Sequence, residues 1–388
     1  MIKTLAISNY RSLLDLTIPL DSLNVITGPN GSGKSNVYKA LRLLAETASG
    51  GIVNSLAREG GLPSTFWAGP ADVSKKMKSG EVPIQGTHDN NNKRLRLGFS
   101  GDDFGYAISM GVTPPMGMPT AFSLDPEIKR ESIWAGPVYR PASSLVEREG
   151  PLVKVRADRS WDVIAKHTPP FECLFERSGD SRGATEISQL KDTIASWRFY
   201  DHFRTDHAAP SRLPQLGTRT PVLDNDGRDL AAALQTIREI GDEKALDEAI
   251  EDAFPGCAVD IDVQPDNRFA LCFRQHGLLR TLCGSELSDG TLRYLLWIAV
   301  LLTPRPPPLM VLNEPETSLH PDLLPALGRL ISRASLYSQV WVVSHAAGLI
   351  DSLASSPNCA SVELQKTLGQ TEIRDQRMFD KPAWQWPK

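Results

Sequence analysis

The residues best suited to chemistry begin with Gly28-Pro29-Asn30-Gly31-Ser32-Gly33-Lys34-Ser35, a complete G-x-x-x-x-G-K-S run. Glycines at this spacing let a backbone wrap phosphates with its N–H groups, and a helix opening behind them adds a fixed positive end. In such a loop Lys34 reaches the β- and γ-phosphates and Ser35 binds Mg²⁺, while Asn30, Gly31, Ser32 and Gly33 form the cradle. The bland alternative, a glycine turn without a ligand, fits less well with a strand before the run and a helix after it.

A second cluster lies far downstream. Pro308-Leu309-Met310-Val311-Leu312 is an apolar strand that ends in Asn313 and Glu314, as a Walker B element does. Glu314 is placed to act as general base on an attacking water. Asn313 stands where a carboxylate is common; its amide oxygen still accepts a water of a Mg²⁺ shell, but without charge, so metal affinity is expected to be weaker. Shortly before this strand, Leu287-Ser288-Asp289-Gly290-Thr291-Leu292-Arg293 opens a helix with Ser288 at the N-cap and free N–H groups behind it. In isolation that is only a helix start.

The elements that must position these groups follow from periodicity. Apolar segments Thr4 to Ile7 and Leu23 to Thr27 flank the weakly alternating Leu14 to Leu20, and all three read as short strands. A helix follows the glycine run over Ser35 to Thr47. Residues 49 to 125 are rich in Gly, Pro, Ser and Asn, with an exposed loop at Asp89-Asn90-Asn91-Asn92; strand-like pieces at Arg94 to Phe99 and Tyr106 to Met110 suggest an antiparallel layer. Helical periodicity covers Glu186 to Trp197 and Arg228 to Phe254. The end alternates: strands Ala258 to Val263 and Phe269 to Phe273, helix Ser288 to Leu302, strand Leu309 to Leu312, helix Pro321 to Arg333, strand Gln339 to Val343. That order is α/β with parallel crossovers. No sustained heptads and no internal repeat are visible, which excludes a long coiled-coil arm.

With these motifs in order, the sequence resembles the ABC-type ATPase heads of the RecF, SMC and OLD-like class, especially short AAA-type members without a coiled coil. Asn9-Tyr10-Arg11-Ser12 resembles their opening motif, Leu287 to Arg293 their signature, Glu314-Pro315-Glu316-Thr317-Ser318-Leu319-His320-Pro321 their Walker B and D-loop, and Val342-Val343-Ser344-His345 their switch-histidine strand. The resemblance implies a P-loop NTPase fold of two lobes with a helical insertion: an N-terminal lobe over 1–165, an insertion over 166–275 and a C-terminal lobe over 276–388. It implies ATP and Mg²⁺ as ligands and an ATP-dependent homodimer. In that dimer Ser288 and Gly290 contact the γ-phosphate held by the other copy, and His345 holds the γ-phosphate or attacking water of its own. Arg11 either touches phosphate or is an ordinary salt-bridged arginine. The Q-loop glutamine has no clear counterpart; Glu172 is a weak substitute.

Composition bounds the rest. Hydrophobic residues at 41% allow a substantial core, and a formal net charge of −4 gives no global field toward nucleic acid or anionic membrane. The five scattered cysteines form no C-x-x-C pair, as expected of reduced thiols in the cytoplasm. The N-terminus reads as a strand rather than a leader, and the apolar run Tyr294 to Leu302 falls short of the roughly 20 residues that span a bilayer, so no membrane is expected. Between Arg198 and Arg238, Phe199, Tyr200, His202 and Phe203 are interleaved with Arg204, Arg212 and Arg219, and Trp197 stands just before. They either clamp a nucleic acid or form a helical core with a solvated arginine face. The functional expectation is nucleotide-driven head dimerisation in DNA repair, recombination or defence against foreign DNA. The alternative is a regulatory ATPase that controls a separate effector such as a nuclease or toxin; a transporter subunit fits the motifs less well.

Overall fold

A computed structural model describes residues 1–70, 75–83, 93–112, 120–158, 160–177 and 185–387; the expected Asp89 to Asn92 loop lies outside the described residues. The chain divides into two compact units, Met1–Asp21 with Thr27–Trp197 and Val362–Lys388, and Ser22–Ile26 with Arg198–Ser361. Among the described residues no helix is long and apolar enough to cross a membrane.

The first unit is built on an eight-stranded antiparallel sheet, ordered Leu13–Pro19, Ile2–Tyr10, Leu95–Gly101, Phe104–Val112, Pro126–Ala135, Ser144–Glu149, Leu152–Ala157 and Ser160–Ala165. The antiparallel layer read from the sequence is therefore present and runs further than its short apolar pieces indicated. The helix Lys34–Ser49 buries Val37, Leu41, Leu44 and Ala48 and packs on strands Ile2–Tyr10 and Leu95–Gly101. It ends at Gly50, whose φ of 71° is the left-handed cap conformation that glycine takes without strain. Inside the unit Arg148 and Glu131, both fully buried, form an ion pair at 2.8 Å. Tyr106 and the Leu174 N–H also donate to Glu131, and burial pushes this carboxyl's pKa up against the arginine's pull. Arg148 donates in turn to the backbone carbonyl of Glu172. A hairpin the sequence reading did not include, Cys359–Thr367 with Gln370–Ile373, turns through Leu368 and Gly369 at φ 50° and 87°, the two positive values that a tight primed turn requires.

The second unit carries a parallel sheet ordered Arg198–Tyr200, Leu309–Asn313, Gln339–Val343 and Leu23–Thr27. Its strands Leu309–Asn313, Gln339–Val343 and Leu23–Thr27 are nearly continuous buried runs, as a sheet covered on both faces demands. The helix Asp289–Leu301 is buried from Leu292 onward and shares the unit's core with Leu324–Ala334 and Ala347–Ala354. The single long helix expected over Arg228 to Phe254 is instead two, Leu230–Ile240 and Glu243–Ala253. Gly241 ends the first and Asp242 caps the second, accepting from the Ala245 N–H at 2.9 Å. Trp197, Tyr200 and Phe203 are buried and Arg204 pairs with Asp206 at 2.9 Å, so these aromatics serve packing, each inside its own unit.

Candidate functional site

In the first unit the glycine run forms a cradle that admits no side chains at two points. Gly28 has φ 139°, and a Cβ there would stand 2.3 Å from the Leu364 carbonyl oxygen; Gly33 has φ 110°, and its Cβ would stand 2.1 Å from Thr371 Oγ1. Both positions therefore require glycine. Lys34 is only 8% exposed, and its ammonium donates to the carbonyls of Gly28 at 2.6 Å and Pro29 at 3.2 Å. The helix behind it has no side-chain cap on its first turn, Ser35 is exposed there, and Ser32 Oγ is buried without a hydrogen-bond partner. An exposed hydroxyl, an uncapped helix end and an orphaned buried hydroxyl fit a phosphate with its Mg²⁺.

A relay of side chains grips this loop. Asn36 Nδ2 donates to Ser12 Oγ at 2.8 Å, Ser12 and Thr371 hydroxyls meet at 2.7 Å, and Thr371 Oγ1 donates to the Ser32 carbonyl at 2.7 Å. Because the one proton of Thr371 goes to Ser32, Ser12 must donate to Thr371. The turn carrying Ser12 has Asn9 and Arg11 at φ 64° and 50°. Arg11 is held there by Glu59, at 2.8 Å, and by its N–H to the Thr65 carbonyl at 2.6 Å. Glu59 also accepts from Tyr10 at 2.9 Å, and burial pushes that phenol's pKa well up. Of the two roles open to Arg11, the structure displays the salt-bridged one.

In the second unit the strand Leu309–Asn313 delivers Asn313 in register with Val343. Glu314 follows at φ 50°, its N–H on the Val343 carbonyl at 2.8 Å and its side chain 45% exposed. His345 Nδ1 lies 3.9 Å from Glu314 Oε1 and 3.4 Å from Glu316 Oε1. The strand arrangement thus gathers Asn313, Glu314 and His345 at one sheet end, the end where open parallel sheets carry their chemistry.

The signature helix begins in the same unit. Ser288 is an exposed N-cap that accepts from the Thr291 N–H at 3.1 Å, and Gly290 sits where an added Cβ would be 3.4 Å from the Ser318 carbonyl. Arg212, 8% exposed, donates to the carbonyls of Leu287 at 2.6 Å, Gly284 at 3.1 Å and Thr205 at 2.7 Å, and pairs with Asp289 at 2.6 Å. Arg293 donates to the Thr317 carbonyl at 2.9 Å and the Phe203 carbonyl at 3.1 Å, and burial lowers its pKa. The sequence points to no role for Thr371 and to none of their own for Arg293 and Glu316, and it reads Arg212 as part of a nucleic-acid clamp or a solvated face, whereas the structure buries it on backbone carbonyls. Glu316 lay inside a quoted motif; Thr371 and Arg212 grip backbone 339 and 75 residues away, which no local pattern reveals.

Against known proteins, a family profile described as "AAA domain, putative AbiEii toxin, Type IV TA system" matches residues 157–351, half of the chain, and one described as "AAA ATPase domain" matches residues 1–105. A stretch of 44 residues is 43% identical to the OLD nuclease of Thermus scotoductus, covering 11% of this chain and 8% of that protein. Among solved structures the chain is similar to the SMC head domain from Thermotoga maritima, with a TM-score of 0.48, 13% identity and coverage of 97% of this chain and 99% of that one. It is also similar to an SMC head bound to the C-winged helix domain of ScpA, with a TM-score of 0.49, 13% identity and coverage of 96% and 97%.

Proposed function

The chain belongs to the AAA-domain family whose profile spans residues 157–351, and from that premise we propose that it binds and hydrolyses ATP as an ABC-type head, two copies closing on two nucleotides. The observation that carries this reading is the cradle, in which Gly28 and Gly33 leave no room for a Cβ. In it Asn30, Gly31, Ser32 and Gly33 wrap the phosphates and Lys34 releases its own loop's carbonyls for the β- and γ-phosphates. Ser35 and Asn313 are the residues assigned to hold Mg²⁺, which would neutralise phosphate charge when bound. Glu314 takes the proton of the attacking water, and His345 orients that water or the γ-phosphate. Arg11 braces the turn that carries Ser12 through Glu59. Ser288 and Gly290, at an exposed helix start, meet the γ-phosphate bound by the other copy.

The output of this cycle we place in cytoplasmic DNA transactions, repair, recombination or defence, a reading that the stretch shared with the OLD nuclease supports. A second reading, a regulatory ATPase governing a separate effector, is favoured by the family description with its putative toxin. Salt-dependent DNA binding that requires ATP separates the two.

The dimer is tested by sedimentation of Glu314→Gln, which should bind ATP, hydrolyse it roughly 10² times more slowly, and sediment as a dimer with ATP. A strictly monomeric species at concentrations above those supporting wild-type turnover would sink the composite site. Lys34→Ala serves as its control: ATP affinity should fall roughly 10- to 100-fold with the loss of a charge-assisted contact, and no dimer should form.

A further inference from the structure

Glu316 has no part in the function just described, yet its carboxylate gathers the whole turn after the strand Gln339–Val343. Its Oε1 accepts from Ser344 Oγ at 2.7 Å, from the His345 N–H at 2.9 Å and from the Ala346 N–H at 3.2 Å. Its own backbone is fixed by tight turns on either side, with Thr317 N–H on the Glu314 carbonyl and Leu319 N–H on the Glu316 carbonyl, both at 3.0 Å. The Trp297 indole donates to the Pro315 carbonyl at 3.0 Å, which pins the segment from the signature helix.

A hydroxyl and two backbone N–H groups are neutral donors, and a glutamine oxygen could accept from all of them. They do not account for a carboxylate on a side chain only 6% exposed, where an ion without a charged partner costs several kcal/mol. Among the described residues the ionisable side chain recorded within ion-pair distance of Glu316 is His345, with Nδ1 at 3.4 Å from the same Oε1. Oε2 is buried and accepts from nothing, so every donor and the imidazole converge on one oxygen. A carboxylate beside one ring nitrogen favours the proton on that nitrogen.

We propose that Glu316 is a positioning residue for His345: it fixes the turn that carries the imidazole and holds Nδ1 as the protonated nitrogen, so that Nε2 faces the reaction. This rests on the role given to His345 above. Glu314, at 3.9 Å, is the other carboxylate beside the ring and is left free for the water.

Two measurements on the full chain test it. The first reads the ring directly by ¹⁵N NMR of histidine-labelled protein, with His345→Gln identifying the resonance. Wild type should show His345 as the Nδ1–H form when neutral, and Glu316→Ala should shift it to the Nε2–H form usual for a histidine in water. A wild-type Nε2–H ring, or an unchanged ring in folded Glu316→Ala, overturns the proposal.

The second uses Glu316→Gln, which keeps an acceptor for Ser344 and both N–H groups, and so stays informative if Glu316→Ala loses the turn. Turnover should fall about tenfold with ATP affinity within about twofold. In a His345→Gln background the same change should cost less than about twofold, since a residue acting through His345 has nothing left to act on. Equal losses in both backgrounds, or wild-type turnover in Glu316→Gln while His345→Gln is impaired, overturn the positioning role. If His345→Gln itself turns over normally, the catalytic reading of His345 fails, and the ring's protonation alone decides whether Glu316 governs it.

Discussion

In the first unit, Gly28 and Gly33 hold backbone angles and close approaches that any side chain would break, so the phosphate cradle is shaped chiefly by what is missing from its residues. In the second unit the turns around Glu314, His345 and the signature start are shaped by what side chains add: the Glu316 carboxylate on the switch turn, Arg293 on the Thr317 carbonyl, Arg212 across the start of the signature helix. A site made by subtraction tolerates almost no enlargement and leaves a fixed spacing in the sequence. A site made by side-chain hydrogen bonds can be loosened one bond at a time, and its makers are scattered along the chain.

The largest effect should therefore come from the smallest chemical change. Gly28→Ala puts a methyl 2.3 Å from the Leu364 carbonyl oxygen and 2.7 Å from Ser32 Oγ at a φ of 139°, and the nearer of the two contacts is backbone, which cannot swing aside. We expect about 3–4 kcal/mol of destabilisation, increased amide exchange over 359–373 and loss of ATP binding. Near-normal exchange and affinity would show that the hairpin yields, and that the contrast between the two sites is weaker than their geometry implies.

Arg212→Met comes next. The substitution strands the carbonyls of Leu287, Gly284 and Thr205 in a buried pocket and should cost about 2–3 kcal/mol, seen as increased exchange across 284–289. Asp289→Asn is the internal control: although its ion pair with Arg212 measures 2.6 Å, Asp289 is 62% exposed, and such pairs contribute about 0–1 kcal/mol. If the control matches Arg212→Met, the charge pair rather than the carbonyl cage holds the signature start.

This division also explains what could be read from the sequence. The glycine run, the strand ending at Asn313 and Glu314, and the alternation of elements near the C-terminus are local patterns, and so the family and the α/β class were legible. The break at Gly241-Asp242 was equally local but lay inside a run whose apolar spacing continues across it, and periodicity alone joined the two helices. The hairpin that clamps the cradle was not legible: its strand Cys359–Thr367 alternates weakly, and the residue that matters, Thr371, reports nothing until Ser12 and Ser32 stand beside it. Arg212 looked like one arginine among several in an aromatic stretch, because burial is a property of the partners and not of the spacing.

The smallest predicted effect bears on whether the first site is purely a matter of glycine. Thr371→Val keeps the shape of the side chain and removes the hydroxyl that accepts from Ser12 and donates to the Ser32 carbonyl. Thr371, Ser12 and Ser32 are all buried, so a buried hydroxyl and a carbonyl each lose a partner, at a cost of about 1–2 kcal/mol. Part of that should fall on the loop: about a fivefold weaker ATP affinity corresponds to 1 kcal/mol, with faster exchange of the Ser32 and Gly33 amides and little change elsewhere. Thr371→Ser retains the hydroxyl and should behave like wild type. If Thr371→Val binds ATP with unchanged affinity while its loop exchange rises, the relay stiffens a cradle whose binding geometry the glycines already impose. If affinity falls and exchange does not, Thr371 acts by placing the Ser32 peptide, and the first site, like the second, is partly built by side chains.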